Sequence, residues 1–119
     1  MKGLEDLIIY KQYLEMIFYT ENITEKFSRA DKMGLGEKIK LSTYQGMENI
    51  INAQKNNFNK TIRLEYLNQI DGILKMLKVL IRVSYKRKCI SSKNYEAWSK
   101  KITNIANLLG AWIKSCQKQ

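Results

Sequence analysis

The chain has 119 residues, enough for one core of ordinary domain size and too few for a catalytic domain plus a separate binding domain. With 45% apolar and 27% charged residues it reads as folded rather than disordered, and the absence of proline leaves long uninterrupted helices unopposed. An excess of 21 Lys and Arg over 11 Asp and Glu gives a net charge of +10, which points to a polyanionic partner (RNA, DNA or an anionic membrane) or to the lysine bias of an AT-rich genome.

Helical periodicity is clear in four places, and alternating strand patterns are essentially missing. The first helix is expected from Leu4 to Thr24, with Leu7, Tyr10, Leu14, Ile17 and Phe18 recurring at steps of three and four. "KFSRADKMGLG" follows as a loop, its two glycines read as helix punctuation. The second helix runs from Leu35 to Lys55 with Leu35, Ile39, Thr43, Gly46, Ile50 and Ala53 on one face, small or β-branched enough to let a neighbouring helix approach closely.

After "NNFNK", Thr61 is the expected N-cap of a third helix reaching Lys88. "CISS" then turns the chain, with Ser91 or Ser92 capping a fourth helix whose apolar stripe is Tyr95, Trp98, Ile102, Ile105, Leu109, Trp112 and Cys116. Trp98 and Trp112 belong to that stripe, so they read as core anchors before base-stacking platforms. Four amphipathic helices joined by short breaks imply an all-α fold, an antiparallel up-down-up-down bundle in which residues 1–119 form a single domain.

The third helix carries three stripes. At 100° per residue, Ile70, Ile73, Leu77, Leu80, Ile81 and Ser84 share an arc that reads as core, while Lys75, Lys78, Arg82 and Lys86 gather within about 80° on roughly the opposite side. Between them Met76, Val79 and Val83 widen the apolar arc beyond what a surface helix needs, either as a subunit contact or as a wide stripe packed within one chain. The cations read either as a solvated face or as a phosphate-binding row of Lys75, Lys78, Arg82, Lys86 and Arg87; Asp71, four residues before Lys75, is the nearest carboxylate.

Catalytic chemistry is poorly supplied. The chain has no histidine, two isolated cysteines (Cys89 and Cys116), no phosphate-binding loop, and only Glu5–Asp6 and Glu65–Asp71 as carboxylate pairs, all at ordinary solvated helix positions. The expectation is a non-enzymatic protein without metal or cofactor. With no signal peptide visible at "MKGLEDLIIYKQ" and no apolar run near the roughly 18 residues a bilayer span needs, it is expected to be cytoplasmic, with reduced thiols and no membrane partner.

Four segments carry a resemblance to a known family. "FSRADKMGLG" resembles an F-P-K/R-x-x-x-x-x-L-G junction with Ser28 in place of proline, "DGILKMLKVLIRVS" a D-x-x-L-x-x-L-R-x-x-I/L-R-L-A segment, "ISSKNYE" the turn into the last helix, and "LLGAWIKS" an I-G-x-x-L-G-G-W segment with Ala111 for the second glycine. With these four in register, the chain resembles, from about Tyr10 to Lys114, the accessory variability determinant (Avd) proteins of diversity-generating retroelements. More distantly, the chain resembles four-helix-bundle proteins encoded in ribosomal-RNA intervening sequences. The resemblance places Lys78 and Arg82 at two basic family positions. It implies a homo-oligomeric ring, a pentamer, with a basic surface, acting with a reverse transcriptase and its template RNA or cDNA. The intervening-sequence relatives imply instead a protein-interaction module of the same fold with no retroelement role.

Overall fold

The computed structural model describes the backbone of residues 4–118 and the side chains of residues 8–118. Four helices carry the fold: α1 (Leu4–Glu25), α2 (Glu37–Lys55), α3 (Lys60–Lys86) and α4 (Ser92–Gln117). They alternate in direction around one core, α1 packing on α2 and α4, and α3 packing on the same two helices. The 27 residues of α3 cover about 40 Å at 1.5 Å per residue, most of the 46 Å length of the molecule.

On α3 and α4 the core is the one the periodicity predicts. Leu67, Ile70, Leu74, Leu77 and Ile81 meet Trp98, Ile102, Ile105, Leu109 and Trp112, and both tryptophans are buried. Ile73 is only half-buried, at the edge of this face. Ser91, of the two serines at the turn, caps α4: its Oγ accepts a hydrogen bond from the Asn94 amide at 3.1 Å.

α1 turns a different face inward from the one its apolar spacing suggests. Ile9, Tyr13, Met16 and Ile23 are buried, Tyr10, Leu14 and Ile17 are half-buried, and Phe18 is 57% exposed; the side chain of Leu7 lies outside the described residues. The buried face includes Thr20 and Thr24, whose polarity disguises it. Thr24 donates to the Thr20 carbonyl at 2.8 Å and Thr20 Oγ1 accepts from Trp98 Nε1 at 3.1 Å, so both threonines are satisfied in place.

The small residues of α2 also have an occupant other than the one expected. Ile39, Thr43, Gly46, Ile50 and Ala53 are all buried, but at Gly46 the visitor is the Tyr13 side chain rather than a helix backbone. The phenol lies in the space a Cβ at residue 46 would take, and its hydroxyl donates to the Thr43 carbonyl at 2.7 Å. Burial pushes the Tyr13 pKa well up, which keeps the phenol a neutral donor.

The expected loop before α2 is largely helical. Ser28 caps a short turn, Arg29–Asp31, which runs into a π-helical turn, Lys32–Gly36, and on into α2. Its glycines do not stop the helix, since Gly36 has ordinary helical angles (φ −61°, ψ −42°). Ser28 has φ −57°, the angle a proline imposes, so serine here adopts a proline-compatible conformation while its Oγ accepts from the Asp31 amide at 3.3 Å.

Two further boundaries shift. α3 is capped by Asn59 rather than Thr61, with Asn59 Oδ1 accepting from the Ile62 amide at 3.1 Å. It ends at Lys86 rather than Lys88, because Lys88 takes a left-handed conformation (φ 62°) that stops the helix. The Lys88 and Cys89 amides then return to the carbonyls of Tyr85 and Ser84, at 3.0 and 2.8 Å.

Gly46→Ala should destabilise the fold by about 1–3 kcal/mol, as overpacking does, read as a lower urea midpoint at unchanged m-value. Gly110→Ala is the control, because a Cβ there meets nothing within 4 Å. Inside α4 it should stabilise by about 0.5–1 kcal/mol. Gains from both variants would show that Tyr13 does not hold the α1–α2 register.

Candidate nucleic-acid interface

The charge of the chain is divided between its two helix pairs. Residues 1–55 carry eight Lys and Arg and eight Asp and Glu, whereas residues 56–119 carry 13 and three, so the net +10 comes entirely from the half that forms α3 and α4. The α1–α2 half pairs its charges locally, with Lys32 Nζ 2.7 Å from Glu25 and Lys40 Nζ 3.4 Å from Glu37.

The C-terminal half of α3 turns its cations to solvent. Lys75 meets Asp71 at 2.9 Å, an exposed pair within one helix turn, whereas Lys78, Arg82 and Lys86 make no ion pair among the described residues. Lys78 and Arg82 stand one turn apart on the side of α3 that faces α4 and, with Val79, form one wall of a groove of about 370 Å³. Tyr95, Ser99 and Thr103 of α4 form the other. Tyr95 stacks on Tyr85 with ring centroids 4.6 Å apart and planes 7° from parallel, so its ring is held from the α3 side. Nothing in the helical spacing of α4 marks Tyr95 as anything but core, and its role as a groove wall is visible only in three dimensions.

Arg87 stands apart from the row. Its Nε and Nη2 donate to Asp31 Oδ1 at 3.0 and 2.6 Å, and the Cys89 thiol approaches Asp31 Oδ2 at 3.3 Å, so the α3–α4 turn is tied to the segment that leads into α2. The hydrogen bonds from Arg87 first, and then from Cys89, hold the Asp31 carboxyl below the usual carboxylate range. Burial and the neighbouring carboxylate push the Cys89 thiol up, which makes it a weaker nucleophile. Both cysteines are free, and Cys116 is buried in the core.

The apolar flank of α3 runs beside the cationic row, from Val79 on the α4 side to Met76 on the α2 side. Met76, Val79 and Val83 are 46%, 54% and 37% exposed, and with Gly72 they follow the alternating steps of four and three of a coiled-coil seam. Gly72 and Met76 border a second groove, of about 400 Å³, whose α2 wall is Lys38, Ser42, Gln45 and Asn49. Lys78 and Arg82 thus lean toward α4 and Met76 toward α2, with Val79 shared between the flank and the α4 groove. Phe18 of α1 and Leu41 and Ile51 of α2 are also exposed, in the half whose charges balance.

One buried cation shows what burial demands. Arg63, 5% exposed, donates from Nε to the Ala53 carbonyl in the last turn of α2 at 3.0 Å and lies 5.2 Å from the centre of the Trp112 ring. Among the described residues, no group of His, Cys, Asp or Glu is placed to hold a metal ion, and no helix is long and apolar enough to cross a membrane.

The sequence model of bAvd-like proteins matches residues 7–116. The fold is also that of a protein of unknown function from the S23 ribosomal protein family of Bacteroides thetaiotaomicron VPI-5482, whose crystal structure is known at 1.70 Å. The two superpose with a TM-score of 0.85 at 19% identity, covering 93% of this chain and 99% of the other. No curated protein matches the chain.

Asp31 supplies a pH signature. A carboxylate whose folded pKa is lowered stabilises fully above its unfolded value, about 3.9, and loses that contribution as pH falls through the folded value. Melting temperature should therefore fall more steeply below about pH 4 in the unmodified chain than in Asp31→Asn. Identical acid-side slopes in circular-dichroism melts would show that the Asp31–Arg87 contact contributes nothing.

Proposed function

Because the chain belongs to the bAvd-like family, we propose that it is the accessory protein of a diversity-generating retroelement, binding template RNA or cDNA on its α3–α4 side and docking the reverse transcriptase. One observation carries this reading: the whole net charge lies in the α3–α4 half, where Lys78, Arg82 and Lys86 are exposed without carboxylate partners among the described residues. Phosphates are neutralised there by Lys75, Lys78, Arg82 and Lys86 with release of counterions, which gives little sequence preference and steep salt dependence. Arg87 acts beside them as the anchor of the turn through Asp31.

Copies of the chain meet through Met76, Val79 and Val83, where three apolar side chains are left partly in water at coiled-coil spacing. A closed ring of copies, five by resemblance, repeats the basic row and turns weak phosphate contacts into avid binding. Phe18, Leu41 and Ile51, in the half with no net charge, offer the reverse transcriptase exposed apolar side chains clear of the nucleic acid.

Charge reversal at Lys78 and Arg82 should weaken binding of a labelled template RNA at least roughly tenfold and reduce the slope of log K against log salt by about 2. Helical content and oligomer mass should not change. Unaltered RNA affinity at low salt removes the assignment. Met76→Lys with Val83→Glu should reduce the mass seen by light scattering to that of one chain, and an unmodified chain already monomeric at micromolar concentration would count against the ring.

A further inference from the structure

We propose that the groove between α3 and α4 is a single-strand pocket, seating one unstacked nucleotide of a nucleic-acid strand. This rests on the nucleic-acid reading above. A row of surface cations alone would hold duplex and single strand alike, because phosphates are common to both. The groove adds what a base needs and a duplex cannot offer. Lys78 and Arg82, four residues apart on α3, give one wall two cations for a phosphate, and Ser99 and Thr103 give the other wall two hydroxyls for a sugar or a base edge. The exposed part of Tyr95 adds aromatic surface to the lining, and Val79, shared with the apolar flank, bounds its edge.

Tyr95 is suited to this because it is already fixed. Its ring is half-buried and stacked on Tyr85, so a base packing against its exposed part meets a surface that does not have to be ordered first. Bases in a duplex are stacked on one another and present only their edges, whereas a splayed base offers the face that aromatic side chains take. The volume of about 370 Å³ lies at the small end of the range for ligand pockets, about 300–1,000 Å³, fitting one nucleotide. Lys75 and Lys86 continue the cations one turn beyond the groove in each direction, which favours a strand running across it over a free nucleotide.

The test is fluorescence anisotropy on the full chain at low salt with an oligouridylate of about 12 nucleotides, an RNA duplex of the same length, and uridine monophosphate as competitor. Tyr95→Leu should lower affinity for the oligouridylate roughly tenfold while leaving the duplex unaffected, and Tyr95→Phe should restore it. Ser99→Leu fills the groove from the opposite wall without changing any charge; it should give the same selective loss and decides the matter if Tyr95→Leu fails to fold. Variants that weaken both probes equally, or neither, overturn the pocket while leaving nucleic-acid binding in place. Uridine monophosphate competing as strongly as the oligouridylate overturns the strand. An unmodified chain that binds neither probe overturns the nucleic-acid reading itself.

Discussion

A lysine or arginine without a counter-charge has to stay in water, and the orientation of α3 follows from that constraint. Residues 56–119 hold 13 cations and three carboxylates, so these residues cannot neutralise one another. Once Lys75, Lys78, Arg82 and Lys86 face out, Ile70, Leu74, Leu77, Leu80 and Ile81 must face in, and the strip between them, Met76, Val79 and Val83, reaches neither bulk water nor the core completely. Arg63 is buried where partners meet it: it donates to a carbonyl at the C-terminal end of α2, where the helix dipole is negative, and lies beneath an indole face.

The α1–α2 half meets no such constraint and is organised by shape. Its exposed ion pairs, Lys32 with Glu25 and Lys40 with Glu37, are of a kind worth about 0–1 kcal/mol each and do not set a register. Tyr13 does. A buried phenol that occupies the space over Gly46 and donates to Thr43 can do so at only one relative position of the two helices. The same register places Thr20 where the indole N–H of Trp98 needs an acceptor, so one packing solution serves both neighbours of α1.

These two modes of organisation explain how much could be read from the residues. α3 and α4 were legible because their apolar and charged positions separate cleanly at helical period, and each such position has one tolerable environment. α1 was not, since Thr20 and Thr24 are core residues that look like surface and Phe18 is a surface residue that looks like core. Hydrogen bonds to backbone carbonyls and to Trp98 reverse that ranking, and no pattern along the chain encodes a partner 78 residues away. The segment from Ser28 to Gly36 was misread for a related reason: glycine permits a helix as well as a turn, and a Ser28 cap with Asp31 bonded to Arg87 decides between them. The cationic row was legible as a row, but Arg87 left it for Asp31, and the Tyr95 wall of the groove depends on which helix packs beside α3.

Two stripes on one helix bring two demands into contact. Met76, Val79 and Val83 lie alongside Lys75, Lys78, Arg82 and Lys86, so any association of copies through the apolar strip draws their cationic rows toward each other. Like charges at such separations repel within a Debye length of about 8 Å at physiological salt, and few local carboxylates offset them. In the proposed function, a polyanion lying across the rows would remove that repulsion, so that binding of nucleic acid and association of copies would favour each other through the same helix. Salt would then act in opposite directions on the two proposed processes, screening the repulsion that opposes association while competing with the phosphate contacts that reward it.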